Sequence, residues 1–135
     1  AKIINENMPS KLPLKSKSVD VILSFYSLEH LYPLDIYLNE WKRVLKKSGS
    51  LIGAIPAEGG LAWGLGRYFT SRRWLKKHTN IDPNKLICWE HPNFADFTMN
   101  SLSKYFKLER VEFWPLHVPS IDMNLTIAFK GSLKD

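Results

Sequence analysis

At 135 residues, with 44% hydrophobic and 24% charged side chains, the chain has the make-up of one globular domain with a modest core, which excludes a disordered or low-complexity protein. The lone Cys88 excludes an internal disulfide and a cysteine-based metal knuckle, so a reduced, cytoplasmic setting is expected; no signal peptide is apparent, and no apolar run approaches the roughly 18 residues of a membrane span. The net charge of +6 is spread along the chain except for one cluster, and a solvated basic surface accounts for it as simply as an acidic partner does.

In chain order, Val19, Val21, Ile22, Leu23 and Phe25 form a nearly continuous apolar run. That pattern predicts a strand buried on both faces in the middle of a parallel sheet. After Pro33, apolar residues recur at Leu34, Tyr37, Leu38, Trp41, Val44 and Leu45, one stripe of a helix. Asp35 and Glu40, followed by Lys42, Arg43, Lys46 and Lys47, run with the helix dipole, and Gly49 is the expected stop. Residues 51–55 return as a second strand ended by Pro56, so the unit reads as strand, crossover helix and parallel strand.

Residues 57–92 loosen into a glycine-rich, tryptophan-rich and basic stretch, predicted as an insertion of short helices with a turn at Ile81, Asp82, Pro83 and Asn84. Asn93 is the expected cap of a further helix that turns Phe94, Phe97, Leu102, Tyr105 and Phe106 inward. Residues 108–114 and 125–129 read as two last strands, with Pro115 and Pro119 breaking the link between them. No repeat or linker divides the chain, so residues 1–135 are expected to form a single domain.

Five groups, Leu12-Pro13, Ser18-Val19-Asp20, Leu28-Glu29-His30, Arg43-Val44-Leu45 and Gly49, stand where class I S-adenosylmethionine-dependent methyltransferases of the type 11 kind carry their markers. The chain resembles the carboxyl-terminal half of that family. The resemblance implies an α/β fold, a partial Rossmann-like methyltransferase sheet of strands 4, 5, 7 and 6 with helices packed on it. It further implies that residues 57–92 are a helical, lid-like insertion after strand 5. S-adenosylmethionine would be the cofactor and an unidentified molecule the methyl acceptor. Strands 1 to 3, with the glycine loop and ribose-holding acid typical of such folds, have no counterpart. The enzyme therefore reads as incomplete, and a noncatalytic interaction module is the second reading. Asn5, Glu6 and Asn7 approach the place of the family's adenine-side acid, with Met8 at the aligned position.

Ligands of open parallel sheets bind beyond the carboxyl ends of strands. Here the resemblance carries Ser24, Phe25 and Tyr26 over as cofactor-side residues, and points Glu29 and His30 toward the acceptor. A histidine beside a carboxylate can remove the acceptor's proton, although such loop residues also commonly bond the backbone, and methyl transfer can proceed by positioning alone. Arg67, Arg72, Arg73, Lys76 and Lys77, interleaved with Trp63, Tyr68, Phe69 and Trp74, form the dense positive cluster. It could dock a small or anionic acceptor or be a solvated helix face; no nucleic-acid motif accompanies it.

Glu58, Gly59, Gly60, Gly64 and Gly66 do not meet the GxGxxG spacing, so a phosphate loop there is the weaker alternative. Glu90, His91 and Cys88 fall short of a zinc site; Trp89, Glu90, His91 and Pro92 precede a helix, with Glu90 expected near its amino terminus and a place in the lining of the substrate pocket as the lesser alternative. With no strand 1 beside it, the run from Val19 to Phe25 is an exposed edge that predicts self-association.

Overall fold

The computed structural model describes residues 11–134, so the residues compared with the adenine-side acid, Asn5, Glu6, Asn7 and Met8, lie outside the described part. The chain forms β1 (Val19–Phe25), α1 (Leu34–Val44), β2 (Leu45–Pro56), α2 (Leu61–Arg67), α3 (Arg73–His78), α4 (Pro83–Glu90), α5 (Ala95–Tyr105), β3 (Phe106–Trp114) and β4 (Thr126–Leu133). A π-helical turn, Tyr68–Arg72, joins α2 to α3 into one helical run over residues 61–78.

The four strands lie in the order β1-β2-β4-β3. β1 pairs parallel to β2, while β4 runs antiparallel to both β2 and β3. This is the expected 4-5-7-6 arrangement with helices packed on the sheet. The stripe of α1 does what its spacing predicted, since Leu34, Leu38, Trp41 and Val44 are all buried. Leu34, Leu38 and Trp41 meet Leu51 and Ile55 of β2, Ile127 and Phe129 of β4, Phe106 of β3, and Ala95 and Leu102 of α5 in one core.

Several local expectations are corrected. The helix does not run to Gly49: it ends at Val44, with Leu45 already extended as its cap, and Lys46 and Lys47 belong to β2. Pairing steps from Val19 with Leu45 to Val21 with Ser50, so residues 46–49 bulge out of register. Gly49 serves that bulge: a Cβ there would stand 2.9 Å from the Asp20 carbonyl oxygen.

β1 is not buried on both faces. Val21, Leu23 and Phe25 are 48%, 65% and 56% exposed, while Ser24 on the opposite face is buried. The apolar run is that of a strand in a doubly covered sheet, but α1 and α5 cover only one face here. Among the described residues β1 is an edge.

Asn93 does not cap α5; the cap position is Phe94, without a side-chain bond. Phe94 and Phe97 are exposed rather than inward, Leu102 is buried, and Phe106 is buried as the first residue of β3. The inner face of α5 is instead built from Ala95, Thr98, Ser101 and Leu102. The turn expected at Asp82 and Pro83 is the start of α4, where the Asp82 carboxylate accepts from the Asn84 amide at 2.9 Å and proline takes the first turn. No helix among the described residues is long and apolar enough to cross a membrane.

Candidate active site

The parallel pair β1 and β2 ends side by side, with Phe25 opposite Ala54, and the chain leaves both strands on the same edge of the sheet. Gly53 makes the close pairing there feasible, because a Cβ at that position would lie 2.2 Å from the Ser24 carbonyl oxygen. Beyond Phe25 the backbone turns sharply: Tyr26 has φ +49°, and its amide donates to the Ala54 carbonyl at 2.9 Å. Ser24 is buried, with its hydroxyl 2.7 Å from that of Ser27. Phe25 and Tyr26 stand exposed, and the Tyr26 hydroxyl lies 3.1 Å from that of Thr126.

A single 3₁₀ turn, Leu28–His30, then buries Leu28 and Glu29. Asn93 holds this turn from the other side of the site, its side-chain amide donating to the carbonyls of Leu28 at 2.8 Å and Leu31 at 2.6 Å. The Asn93 amide also reaches the Glu29 carbonyl, at 3.4 Å. Glu29 is 3% exposed, and its Oε2 is buried without a hydrogen-bond partner. Its Oε1 lies 4.0 Å from His30 Nε2. Burial pushes the Glu29 carboxyl above the usual carboxylate range, against smaller opposing effects of a backbone hydrogen bond and the neighbouring histidines. His30 is half exposed, and its Nδ1 donates to the Glu90 carbonyl at 2.7 Å.

The loop after β2 contributes a second buried acid, Glu58. Its two oxygens are divided between partners from the helical segment: Oε1 accepts from Arg67 Nη1 at 3.3 Å, and Oε2 is in short contact with His91 Nδ1. The His91 and His30 rings meet edge to face, 4.5 Å apart. Residues from three separate stretches of the chain thus converge on one polar knot of Glu29, His30, Glu58, Arg67 and His91, the Glu58–His91 contact spanning 33 positions. Glu90 joins it through its carbonyl, as the last residue of α4 rather than at an amino terminus. Its backbone anchors are tight, since the Glu58 carbonyl accepts from the Ala95 amide at 3.0 Å.

Two members of the knot, Arg67 and His91, line a cavity of about 740 Å³ between the 61–78 run and α4. Trp63, Trp74, Leu75, Leu86 and Ile87 supply its apolar walls, and Arg67, Glu90 and His91 its polar lining. The Trp63 indole N–H is buried with no acceptor. A second cavity, of about 550 Å³, lies along the outer side of the same run between Tyr68, Phe69, Arg72, Arg73, Lys76 and Lys77. The predicted positive cluster is therefore divided. Arg67 turns inward to Glu58, whereas Arg72 and Arg73 line the outer cavity.

Ser24, Phe25, Tyr26, Glu29 and His30 all gather at the carboxyl edge of the sheet, as their sequence position required. Glu58 and His91 were missed as a pair. No spacing rule links them, and the one signal was that each stands beside a strand end or helix end feeding this edge. No group of three or more His, Cys, Asp or Glu among the described residues could hold a metal ion.

Residues 2–53 match the family model of the methyltransferase domain. In fold, the chain is similar to a protein from Pyrococcus horikoshii OT3, with a TM-score of 0.66 and 19% identity over 97% of this chain and 58% of that one. It is also similar to a putative S-adenosylmethionine-dependent methyltransferase from Listeria monocytogenes, with a TM-score of 0.61 and 12% identity over 96% of this chain and 68% of that one. A third is the N-methyltransferase NodS from Bradyrhizobium japonicum WM9, solved with S-adenosyl-L-homocysteine, at a TM-score of 0.55 and 14% identity over 96% of this chain and 53% of that one. The chain thus spans little more than half the length of the first and third of these structures. No curated protein matches it by sequence.

Proposed function

We propose, from a chain whose residues 2–53 match the methyltransferase domain and whose fold is that of the class I S-adenosylmethionine-dependent methyltransferases, that it serves methyl transfer from S-adenosylmethionine to an acceptor bound at the carboxyl edge of β1 and β2. The observation that carries this reading is that match, because β1 and most of β2 lie inside the matched residues and end at the polar knot.

The residues present fit one wall of such a cofactor site. Phe25 and Tyr26 are exposed at the end of β1, and their rings would suit a cationic sulfonium held beside them. Ser24, buried and bonded to Ser27, fixes the turn that sets them there. When bound, S-adenosylmethionine supplies an electrophilic methyl group on a positively charged sulfur. The chain's own part is to hold the acceptor in line and to take up its proton where it carries one. Glu29 and His30 occupy the acceptor end. Residues 57–92 act as a lid over it, joined to the sheet through Glu58, Arg67 and His91.

The outer cavity fits the anionic part of an acceptor, with Arg72, Arg73, Lys76 and Lys77 around it. Self-association through the exposed edge of β1 accompanies this reading, and a cytoplasmic location is its expected setting.

Isothermal titration of S-adenosylmethionine and S-adenosyl-L-homocysteine into the chain tests the proposal. Saturable binding at micromolar ligand is the expected result. Absence of binding at millimolar ligand would leave the noncatalytic scaffold as the function of these residues.

A further inference from the structure

We infer that the Glu58–His91 pair is the proton-accepting element of the site, and that the adjoining cavity receives an acceptor with an apolar, ring-sized body and an ionisable O–H or N–H. This rests on the methyl-transfer reading above and goes beyond it in assigning the base and the acceptor class.

Two histidines compete for the role, and their surroundings separate them. His30 donates from Nδ1 to the Glu90 carbonyl at 2.7 Å, its Nε2 stands 4.0 Å from Glu29 Oε1, beyond hydrogen-bond distance, and it is not among the residues lining the cavity. His91 presents only Nδ1 to protein, against the Glu58 carboxylate. That carboxylate accepts a hydrogen bond from Nδ1–H, which leaves Nε2 as the basic nitrogen of the neutral ring. Nε2 has no protein partner among the described residues, and His91 lines the large cavity. Glu58 in turn cannot swing away, being buried and tied through its other oxygen to Arg67. A histidine oriented by a buried carboxylate on one nitrogen and open on the other is the arrangement of a general base.

The cavity speaks to the acceptor. Its walls are the rings of Trp63 and Trp74 and the side chains of Leu75, Leu86 and Ile87, and its volume of about 740 Å³ suits a body of one or two rings. In the transfer, the acceptor's O–H or N–H bond breaks as its proton passes to His91 Nε2. The new bond from oxygen or nitrogen to the methyl carbon forms as the carbon–sulfur bond breaks, its electron pair leaving with sulfur. The products are the methylated acceptor, S-adenosyl-L-homocysteine and a protonated His91 whose charge faces Glu58.

The test compares 2-naphthol with 2-methoxynaphthalene, an aromatic body with and without the proton to be accepted, by calorimetric titration and tryptophan fluorescence. The chain should bind 2-naphthol about tenfold more tightly, the size of one good hydrogen bond. His91→Phe should abolish that preference while keeping the affinity for the ether. Should that variant fail to fold, Glu58→Gln serves instead: its amide can donate to Nδ1 and place the ring proton on Nε2, which also erases the preference. Leu86→Arg should weaken both probes by tenfold or more.

Equal affinity for the two probes, no binding of either, or a preference that survives both substitutions would overturn the inference. The same samples are titrated with S-adenosylmethionine. A chain that keeps the hydroxyl preference but binds no S-adenosylmethionine supports the acceptor site and removes the methyl-transfer reading, so the two failures are distinguishable.

Discussion

The sheet with α1 and α5, and the segment 57–92 that hangs from its carboxyl edge, are built on opposite principles. The first buries its apolar stripe completely: Leu38, Leu51, Leu102, Phe106 and Ile127 are inaccessible. In the second, α2, α3 and the π-helical turn between them bury no residue, and α4 buries only Pro83. Leu61, Leu65, Tyr68, Phe69, Trp74 and Trp89 all stand exposed. Packing therefore holds the scaffold, while a few polar links through Glu58 hold the segment. The apolar packing and most of the polar links thus reside in different residues, and the 3₁₀ turn that buries Leu28 beside Glu29 is where they meet.

The sharpest break of that contrast is a truncation in each region. Phe106→Ala, in the middle of the core, should cost about 3–5 kcal/mol of unfolding free energy. Trp89→Ala, at a residue 81% exposed, should cost less than about 0.5 kcal/mol by the same urea titration. Comparable losses would mean that the segment packs as part of the core. Gly53→Ala comes next, at about 2–3 kcal/mol, since the added methyl would meet both the Ser24 carbonyl oxygen at 2.2 Å and the Phe129 ring at 2.7 Å.

How far the sequence foretold this follows the same division. The α1 stripe and the order of the strands were legible, the first from its helical spacing and the second through the family markers around β1 and β2. Local punctuation was less reliable. Gly49 reads locally as a helix stop, but it lies in a bulge where the Asp20 carbonyl passes close by, so the glycine answers a tertiary constraint rather than a local one. Asn93 reads as a cap, yet its side-chain amide donates to the Leu28 and Leu31 carbonyls more than 60 residues earlier. The Glu58–His91 pair left no periodic trace because it depends on the β2 exit and the α4 exit arriving at one place. Periodicity records which face of an element is buried; it carries nothing about which loops meet.

Two buried carboxylates sharpen the comparison further. Glu40, on α1, is fully served: it accepts from the Leu12 amide at 2.7 Å and from Arg43 Nε at 2.8 Å and Nη2 at 2.5 Å. The Arg43 hydrogen bond holds its carboxyl below the usual range. Such a depressed group stabilises the fold above the ordinary carboxylate range and loses that contribution as pH falls through its folded value. Glu40→Ala should cost about 2 kcal/mol at neutral pH and progressively less in acid. Glu29 is the reverse case. Its folded value is raised by burial, so its favourable form is the protonated one, present at low pH and lost as pH rises through that value. Glu29→Gln should therefore raise the thermal midpoint at pH 7 and leave it unchanged in acid. A loss of stability at pH 7 would show that the carboxylate supports the turn rather than straining it, the opposite of what a site residue held at a cost should do.

The last contrast lies within the scaffold, between the covered and bare faces of β1. Ser24 faces inward and is buried, whereas Leu23 beside it is 65% exposed on a face that no described helix covers. Exposed apolar side chains on an edge strand favour pairing with another copy of the chain, and a charge placed among them opposes it. Leu23→Lys should leave unfolding free energy within about 0.5 kcal/mol of the parent, because almost nothing packs on that side chain. It should nevertheless shift sedimentation from an associated species toward the monomer. A parent chain that is already monomeric at every concentration would remove the edge as an interface. A variant that loses several kcal/mol would mean instead that Leu23 is covered within the chain, and that the apolar run from Val19 to Phe25 is doubly buried after all.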